Sequence, residues 1–209
     1  MHLFRLLRIV YLFAYYAQPI ANRKKGSGKR LARSLYHMGP AYIKFGQALS
    51  IRSDILGEQI ADELGVLRDS LPPFPFKKVK KIIEQGLGKP LFELYSDFDE
   101  EAVAAASIAQ VHFAVTADGE EVAVKVLRPE VEKIFARDVA MMRWLAKCAE
   151  KLSKEARRLK LRQVVEEFAK SVAVELDLRM EAAAASELKE NFAGEVGFHV
   201  PRVDWRRTS

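Results

Sequence analysis

The stretch that decides the fold runs from residue 104 to residue 126. It opens with Ala104-Ala105-Ala106-Ser107, continues as Ile108-Ala109-Gln110-Val111-His112, and reaches a second apolar run, Val122-Ala123-Val124-Lys125-Val126. Between the two apolar runs lies Asp118-Gly119, a dipeptide that favours the tight turn of a β-hairpin. The pattern predicts a small antiparallel sheet within residues 91–127, with a turn of small residues at its start.

Lys125 is the one charged residue inside the second apolar run. A lysine buried in a strand is costly unless a counter-charge meets it, and a nucleotide phosphate together with a helix glutamate would provide one. A small-residue loop followed 21 residues later by a strand lysine is the layout of a kinase nucleotide clamp, although protein kinases use glycine in that loop. The alternative is an edge strand whose lysine lies in water.

Helical patterns flank the sheet on both sides. We expect helices near residues 29–37, from Pro40 onward, over 58–67 and over 76–85, since Pro40 suits a helix start and Pro72-Pro73 stops one. After the sheet, helices are predicted over residues 130–154 and, as one long helix, over 162–191, with a strand at 198–203. This order of elements indicates an α+β fold.

Three acidic residues of the predicted long helix are candidates for a site. Asp177 and Glu181 are four residues apart and share a helix face, whereas Glu175 points elsewhere. A solvated acidic face is the ordinary interpretation. The small apolar residues on either side instead indicate close packing, in which the carboxylates need cationic partners such as Lys125 and Lys44.

The segment Lys44-Phe45-Gly46-Gln47 contains a glycine inside a predicted helix. Glycine costs about 1 kcal/mol relative to alanine in that position. Gly46 therefore indicates the close approach of another backbone or of a ligand, with ordinary helix packing as the alternative.

The N-terminal part of the chain is strongly basic. Residues 1–53 contain ten Lys or Arg and no Asp or Glu, while the remaining residues sum to −4. The apolar run Ile9–Ala17 is too short to span a bilayer, which takes about 20 residues. It is long enough to lie in the interface of an anionic membrane. A packed helix with a solvated basic tail is the alternative, and we find no signature of a nucleic-acid module.

The single cysteine, Cys148, excludes an internal disulfide framework and a cysteine-based zinc site. It is typical of a reducing compartment.

Taken together, four motifs resemble those of the UbiB/ADCK family of atypical kinase-like proteins. Lys44-Phe45-Gly46-Gln47 is similar to the family's Lys-x-Gly-Gln motif, and residues 104–111 are similar to its alanine-rich loop. Val122–Lys125 is similar to the strand-lysine motif, and Glu175-Leu176-Asp177 to the Glu-x-Asp motif. The resemblance covers about residues 25–209.

The resemblance implies a role for each matching residue. Lys125 would contact the α- and β-phosphates of ATP and pair with Glu181, while Lys44 would reach over the nucleotide pocket and pair with Glu175. The implied cofactors are ATP and Mg²⁺, with the metal ligands expected in a second lobe. The residues expected at the nucleotide are Lys44, Gln47, Ala104, Ala105, Ala106, Ser107, Lys125, Glu175, Asp177 and Glu181.

The resemblance also implies a domain organisation. We expect a basic, aromatic, membrane-proximal segment over residues 1–25, a helical extension over 26–90, and a kinase-like N-lobe with an inserted helix over 91–209. No His-x-Asp occurs in the chain, so we expect the C-lobe to be absent, the lobe to be truncated near the hinge, and no catalytic or metal-binding residue to lie in this chain.

The function implied by the resemblance is the ATP-binding portion of an atypical kinase or ATPase that supports ubiquinone (polyprenylphenol) biosynthesis and is inactive alone. Its location would be the cytoplasmic face of the bacterial inner membrane, attached peripherally. Its partners would be ATP, an anionic membrane surface, and quinone-biosynthesis enzymes or an isoprenoid lipid, with no nucleic acid. The alternative is a non-catalytic, membrane-associated module that binds a lipid or a partner protein.

Overall fold

The computed structural model of the protein describes residues 26–67 and 71–209. Two compact units are present, and the chain passes between them more than once. The first takes in the chain up to Leu71 together with Lys133–Phe168, and the second takes in Pro72–Glu132 together with Ala169–Ser209. The predicted membrane-proximal segment, residues 1–25, lies outside the described residues, and the predicted boundary at residue 90 stays a prediction.

The first unit is helical. It contains α1 (Ser27–Met38), α2 (Pro40–Ser50), α3 (Ser53–Leu56) and α4 (Glu58–Leu64), most of α7 (Val131–Leu152), α8 (Lys154–Arg158), and the first half of α9 (Leu161–Glu175). Gly39, with φ of 115°, separates α1 from α2, and Pro40 opens α2 as predicted. The side chains of Leu35, Tyr42, Ile43 and Leu64 are buried in the core of this unit.

The second unit carries the sheet. Its elements are α5 (Phe76–Leu87), α6 (Leu91–Leu94), β1 (Tyr95–Phe98), β2 (Ala104–Ala105), β3 (Ala109–Thr116), β4 (Glu121–Leu127), α10 (Leu178–Asn191) and a 3₁₀ turn, Trp205–Arg207. Strand β3 is central, because β1, β2 and β4 all pair with it in antiparallel fashion. Gly119, with φ of 86°, forms the predicted hairpin turn between β3 and β4.

Strand β4 has two faces of different character. Val122, Val124 and Val126 pack into an apolar core with the buried residues Val79 and Ile83 of α5. Because successive side chains of a strand point to opposite faces, Ala123 and Lys125 lie on the other face. The fold therefore presents Lys125 away from this core.

Two predictions of secondary structure were wrong. The long helix expected over residues 162–191 is two helices, since α9 ends at Glu175 and α10 begins at Leu178. Asp177 is the N-cap of α10, with its carboxylate accepting a hydrogen bond from the Arg179 amide, so it does not share a helix face with Glu181. The strand expected at 198–203 is irregular chain, because Pro201 has no amide to donate and no described strand pairs with the segment.

Candidate functional site

The second unit contains a cleft of about 700 Å³. Its walls are β4, one side of α10, part of α5 and the C-terminal segment, and its lining includes Lys125, Glu181, Ala123, Ala185 and Arg202. Small-molecule sites in proteins have volumes of about 300–1,000 Å³ and are concave. The cleft therefore has the size of a site for a nucleotide or a molecule of similar bulk.

Lys125 and Glu181 form an ion pair in this cleft. The Nζ atom of Lys125 donates to Oε1 of Glu181 at 2.8 Å and to Oε2 at 2.5 Å. Both side chains reach solvent, with 37% of Lys125 and 59% of Glu181 exposed. A pair so open to water adds at most about 1 kcal/mol to stability. The pair therefore contributes little to the stability of the fold.

The position of Lys125 combines the two interpretations considered from the sequence. Among the described strands β4 pairs only with β3, so Lys125 lies on an edge strand and is partly in water. Its amino group nevertheless meets a carboxylate from a helix 56 residues further along the chain. The strand fixes one partner of the pair and α10 fixes the other.

The start of α10 is held by Asp177. Its carboxylate accepts from the Arg179 amide at 3.1 Å and from the Arg179 guanidinium at 2.9 Å. The hydrogen bond from the Arg179 side chain is the main reason why the pKa of Asp177 lies below its ordinary value. Since Glu181 follows one turn later, this cap sets where the Glu181 carboxylate lies. Asp177 thus caps the helix that carries Glu181.

The alanine-rich loop is an ordered turn at the edge of the sheet. Ala104 and Ala105 form β2 and pair with β3, and the Ala106 amide donates to the Ala109 carbonyl at 2.8 Å. Ser107 is completely buried. The Nε atom of Arg128, just after β4, donates to the Ala106 carbonyl at 2.9 Å and so stabilises the loop. Burial lowers the pKa of Arg128.

The remaining predicted site residues lie on α2 and at the end of α9. Lys44 is half-buried in α2 of the first unit, and Glu175 is the exposed last residue of α9. The pairing of Lys44 with Glu175 stays a prediction. Gln47 donates from Nε2 to the Leu67 carbonyl at 2.8 Å.

Gly46 makes the close approach that its position in a helix indicated. A Cβ atom at this position would lie 2.4 Å from Cδ1 of Leu67 and 2.7 Å from Cδ1 of Leu35. The neighbours are the side chains of the first unit itself, so tight helix packing accounts for this glycine.

The second unit contains a buried polar cluster that the sequence analysis did not predict. The side-chain amide of Gln110 accepts from the Phe74 amide at 2.8 Å and donates to the Phe74 carbonyl at 3.2 Å. The same Nε2 atom lies 2.8 Å from Nε2 of His112, which therefore acts as acceptor, while Nδ1 of His112 donates to the Asp99 carbonyl at 2.8 Å. Two polar residues at i and i+2 on an otherwise apolar strand were the available signal.

Two kinds of feature are absent from residues 26–67 and 71–209. No group of three or more His, Cys, Asp or Glu side chains lies close enough to hold a metal ion. No helix in that part of the chain is long and apolar enough to cross a membrane.

Comparisons with known proteins agree with the kinase-like arrangement of the second unit. Residues 66–209 match the family described as ABC1 atypical kinase-like domain. A "Probable protein kinase UbiB" of Pseudomonas fluorescens strain Pf0-1 is 46% identical over 200 residues, which is 96% of this chain and 38% of that protein. The protein of the same name from strain Pf-5 is 50% identical over 178 residues, or 85% of this chain and 33% of the relative.

A solved structure is also similar. "The complex structure of Rv3197-erythromycin from Mycobacterium tuberculosis" has a TM-score of 0.56 and 35% sequence identity, and the match covers 63% of this chain and 33% of that one. The chain thus spans little more than a third of the length of the curated relatives it matches. It has the predicted α+β architecture with a small antiparallel sheet, as part of a larger domain, and it belongs to the ABC1 family of atypical kinase-like proteins, among relatives named UbiB.

Proposed function

We propose that this chain is the ATP-binding portion of an atypical kinase or ATPase of the UbiB type. The observation that carries the proposal is the ion pair between Lys125 and Glu181 at the wall of a cleft of about 700 Å³. In kinases a strand lysine paired with a helix glutamate holds the α- and β-phosphates. Membership in a kinase-like family supports the same role here.

The residues of the cleft fit a nucleotide. The lysine supplies a positive charge for phosphate oxygens, with Glu181 keeping the amino group in place. Ala123 lies two residues before Lys125 on the same face of β4 and offers a small apolar surface for a flat base. The ordered loop over Ala104–Ser107 does not itself line the cleft; in the proposal it covers the phosphates, with more restricted backbone than a glycine loop has.

The described residues do not fit Mg²⁺ by themselves, since they contain no cluster of three metal ligands. In the proposal, metal ligands come from a part of the longer relatives that this chain does not match, because the match covers only 33–38% of their length.

The biological role we propose is support of ubiquinone biosynthesis at a membrane. The name UbiB borne by relatives at 46–50% identity supports the pathway. The acid-free, basic first 53 residues support contact with an anionic membrane surface, on the cytoplasmic side in bacteria. Quinone-biosynthesis enzymes or an isoprenoid lipid are the partners that such a role would need.

The test is equilibrium binding of a fluorescent ATP analogue to the chain and to two variants. Lys125→Met should weaken binding about 10- to 100-fold, because a hydrogen bond to a charged group contributes about 1.5–3 kcal/mol. Lys189→Met is the matched control, since Lys189 is an exposed lysine of the same helix as Glu181 and does not line the cleft. Its affinity should equal that of the wild type. Equal affinities for all three proteins would overturn the proposal and favour a non-catalytic binding module.

A further inference from the structure

Residues 143–162 form the most basic segment of the described chain. They contain eight Lys or Arg and only two acidic residues, a net charge of +6, which equals the net charge of the whole protein. The segment comprises the end of α7, all of α8 and the start of α9, and it lies within the first unit. We call it the basic turn.

The backbone of the basic turn is well fixed. The Ser153 hydroxyl accepts from the Ala156 amide at 3.2 Å and caps α8. The Glu150 carboxylate accepts from the Arg162 amide at 2.9 Å, and Nε of Arg157 donates to the Glu150 carbonyl at 3.1 Å. Glu150, one of the two acidic residues, therefore stabilises the backbone of the turn.

The cations of the basic turn fall into two groups. Arg143 forms a two-point ion pair with Glu166, with both distances 2.8 Å, and this hydrogen bonding raises the pKa of the guanidinium. The others differ, because no carboxylate of the described residues lies within ion-pair distance of them and all are exposed. These are Lys147, Lys151, Lys154, Arg157, Arg158, Lys160 and Arg162. Together they form a surface of uncompensated positive charge.

Two apolar side chains project from the same surface. Leu152, the last residue of α7, is 89% exposed, and Trp144 is 47% exposed. Trp144, Lys147 and Lys151 are at positions i, i+3 and i+7 of α7, so they share a helix face. An exposed leucine and a half-exposed tryptophan on a helix that also carries exposed lysines have the chemistry of a surface that enters the headgroup region of a bilayer.

We infer that the basic turn is a membrane-docking surface that binds anionic phospholipid, with Leu152 and Trp144 entering the interface and the lysines contacting headgroups. Charge complementarity selects an anionic partner. The exposed Leu152 favours lipid over nucleic acid, because a phosphate backbone offers an aliphatic side chain no apolar contact. The inference deepens the membrane association proposed above by giving it a second site, far in sequence from residues 1–25.

The test follows Trp144 in the full chain carrying Trp205→Phe, which leaves one tryptophan. Phosphatidylglycerol–phosphatidylcholine vesicles should shift its emission to shorter wavelength, and brominated acyl chains should quench it. Pure phosphatidylcholine vesicles should do much less. Because each lysine near an anionic surface contributes about 5-fold to binding, Lys147→Glu, Lys151→Glu and Lys154→Glu together should weaken the partition coefficient at least about 100-fold.

A second variant tests the exposed leucine. Leu152→Ser should weaken binding about 10-fold, as expected for one aliphatic side chain returned to water. All four substituted residues are exposed, so these variants should melt like the wild type. The matched control is Lys77→Glu, Lys80→Glu and Lys81→Glu on α5, which changes the net charge equally and should weaken binding far less.

The outcomes separate this inference from the others. Protein that sediments with anionic vesicles while Trp144 emission stays unchanged would overturn the basic turn as a docking surface and leave residues 1–25 as the anchor. Equal losses in the two triple-lysine variants would overturn it too, since only bulk charge would then matter. Neither result bears on nucleotide binding, which is measured without lipid.

Discussion

Replacement of Gln110 by leucine should destabilise the second unit severely. Gln110 is 1% exposed, and its side-chain amide satisfies both the N–H and the C=O of Phe74. Leucine has a similar volume but no polar atom, so both main-chain groups and Nε2 of His112 would lose their partner. Each buried polar group left unsatisfied costs about 1–3 kcal/mol. Three groups lose a partner, and burial of the apolar leucine side chain offsets part of that cost, so we expect a total loss of about 3–5 kcal/mol, a large part of the 5–15 kcal/mol typical of a domain.

The two tryptophans allow this loss to be assigned to one unit. Trp205 lies in the second unit and Trp144 in the first, so Trp144→Phe leaves a reporter for the second unit alone. With a urea m-value of about 1.5 kcal/mol/M, the unfolding midpoint should fall by about 2–3 M. Gln85→Leu is the control, because Gln85 is exposed on α5 and its loss should change stability by no more than about 0.5 kcal/mol. A midpoint shift for Gln110→Leu as small as that of the control would refute the reasoning.

Two further predictions concern other contacts. Asp118→Asn should lower the urea midpoint of the second unit at neutral pH, since Asp118 is paired with Arg207 at 3.0 Å and with Arg206 at 3.1 Å, and the Arg207 hydrogen bond is the main reason its pKa is lowered. A carboxyl group whose pKa is lowered in the folded state stabilises the fold at pH values above the unfolded pKa of about 3.9. The difference in urea midpoint between wild type and variant should therefore disappear as the pH falls below about 4. A difference that persisted at that pH would contradict the prediction. Gly28→Ala should destabilise the first unit by about 1–3 kcal/mol, because the added Cβ would lie 2.5 Å from Cβ of Glu63 and 2.9 Å from the Ile60 carbonyl oxygen. Trp144 emission in urea, measured in chains that carry Trp205→Phe, checks this prediction, and an unchanged midpoint would contradict it.

Local patterns of sequence predicted the part of the fold that local physics controls. The Asp118-Gly119 turn and the two apolar runs predicted the hairpin and placed Lys125 on its second strand. Those features depend on residues a few positions apart, where turn chemistry and the two-residue period of a strand apply directly.

The features that were missed depend on residues far apart in the chain or on competing local preferences. Gln110 is hydrogen-bonded to Phe74, which is 36 residues away in the sequence, and hydrophobic periodicity does not predict such a contact. The break before α10 was missed because residues 162–191 have a continuous helical composition. Aspartate is a preferred N-cap residue and is less favourable inside a helix, so Asp177 was the residue that indicated the break. The expected strand at 198–203 fails because a strand needs a partner, which sequence pattern alone does not supply.

The most direct test of nucleotide binding in the cleft is hydrogen exchange of the chain with and without ATP. We predict that ATP slows exchange of backbone amides in two places, residues 104–112 of the alanine-rich loop and β3, and residues 121–127 of β4, and that Lys125→Met removes both effects. Protection confined to the basic turn, or none in either segment, would contradict the claim that Lys125 and Glu181 form a nucleotide site.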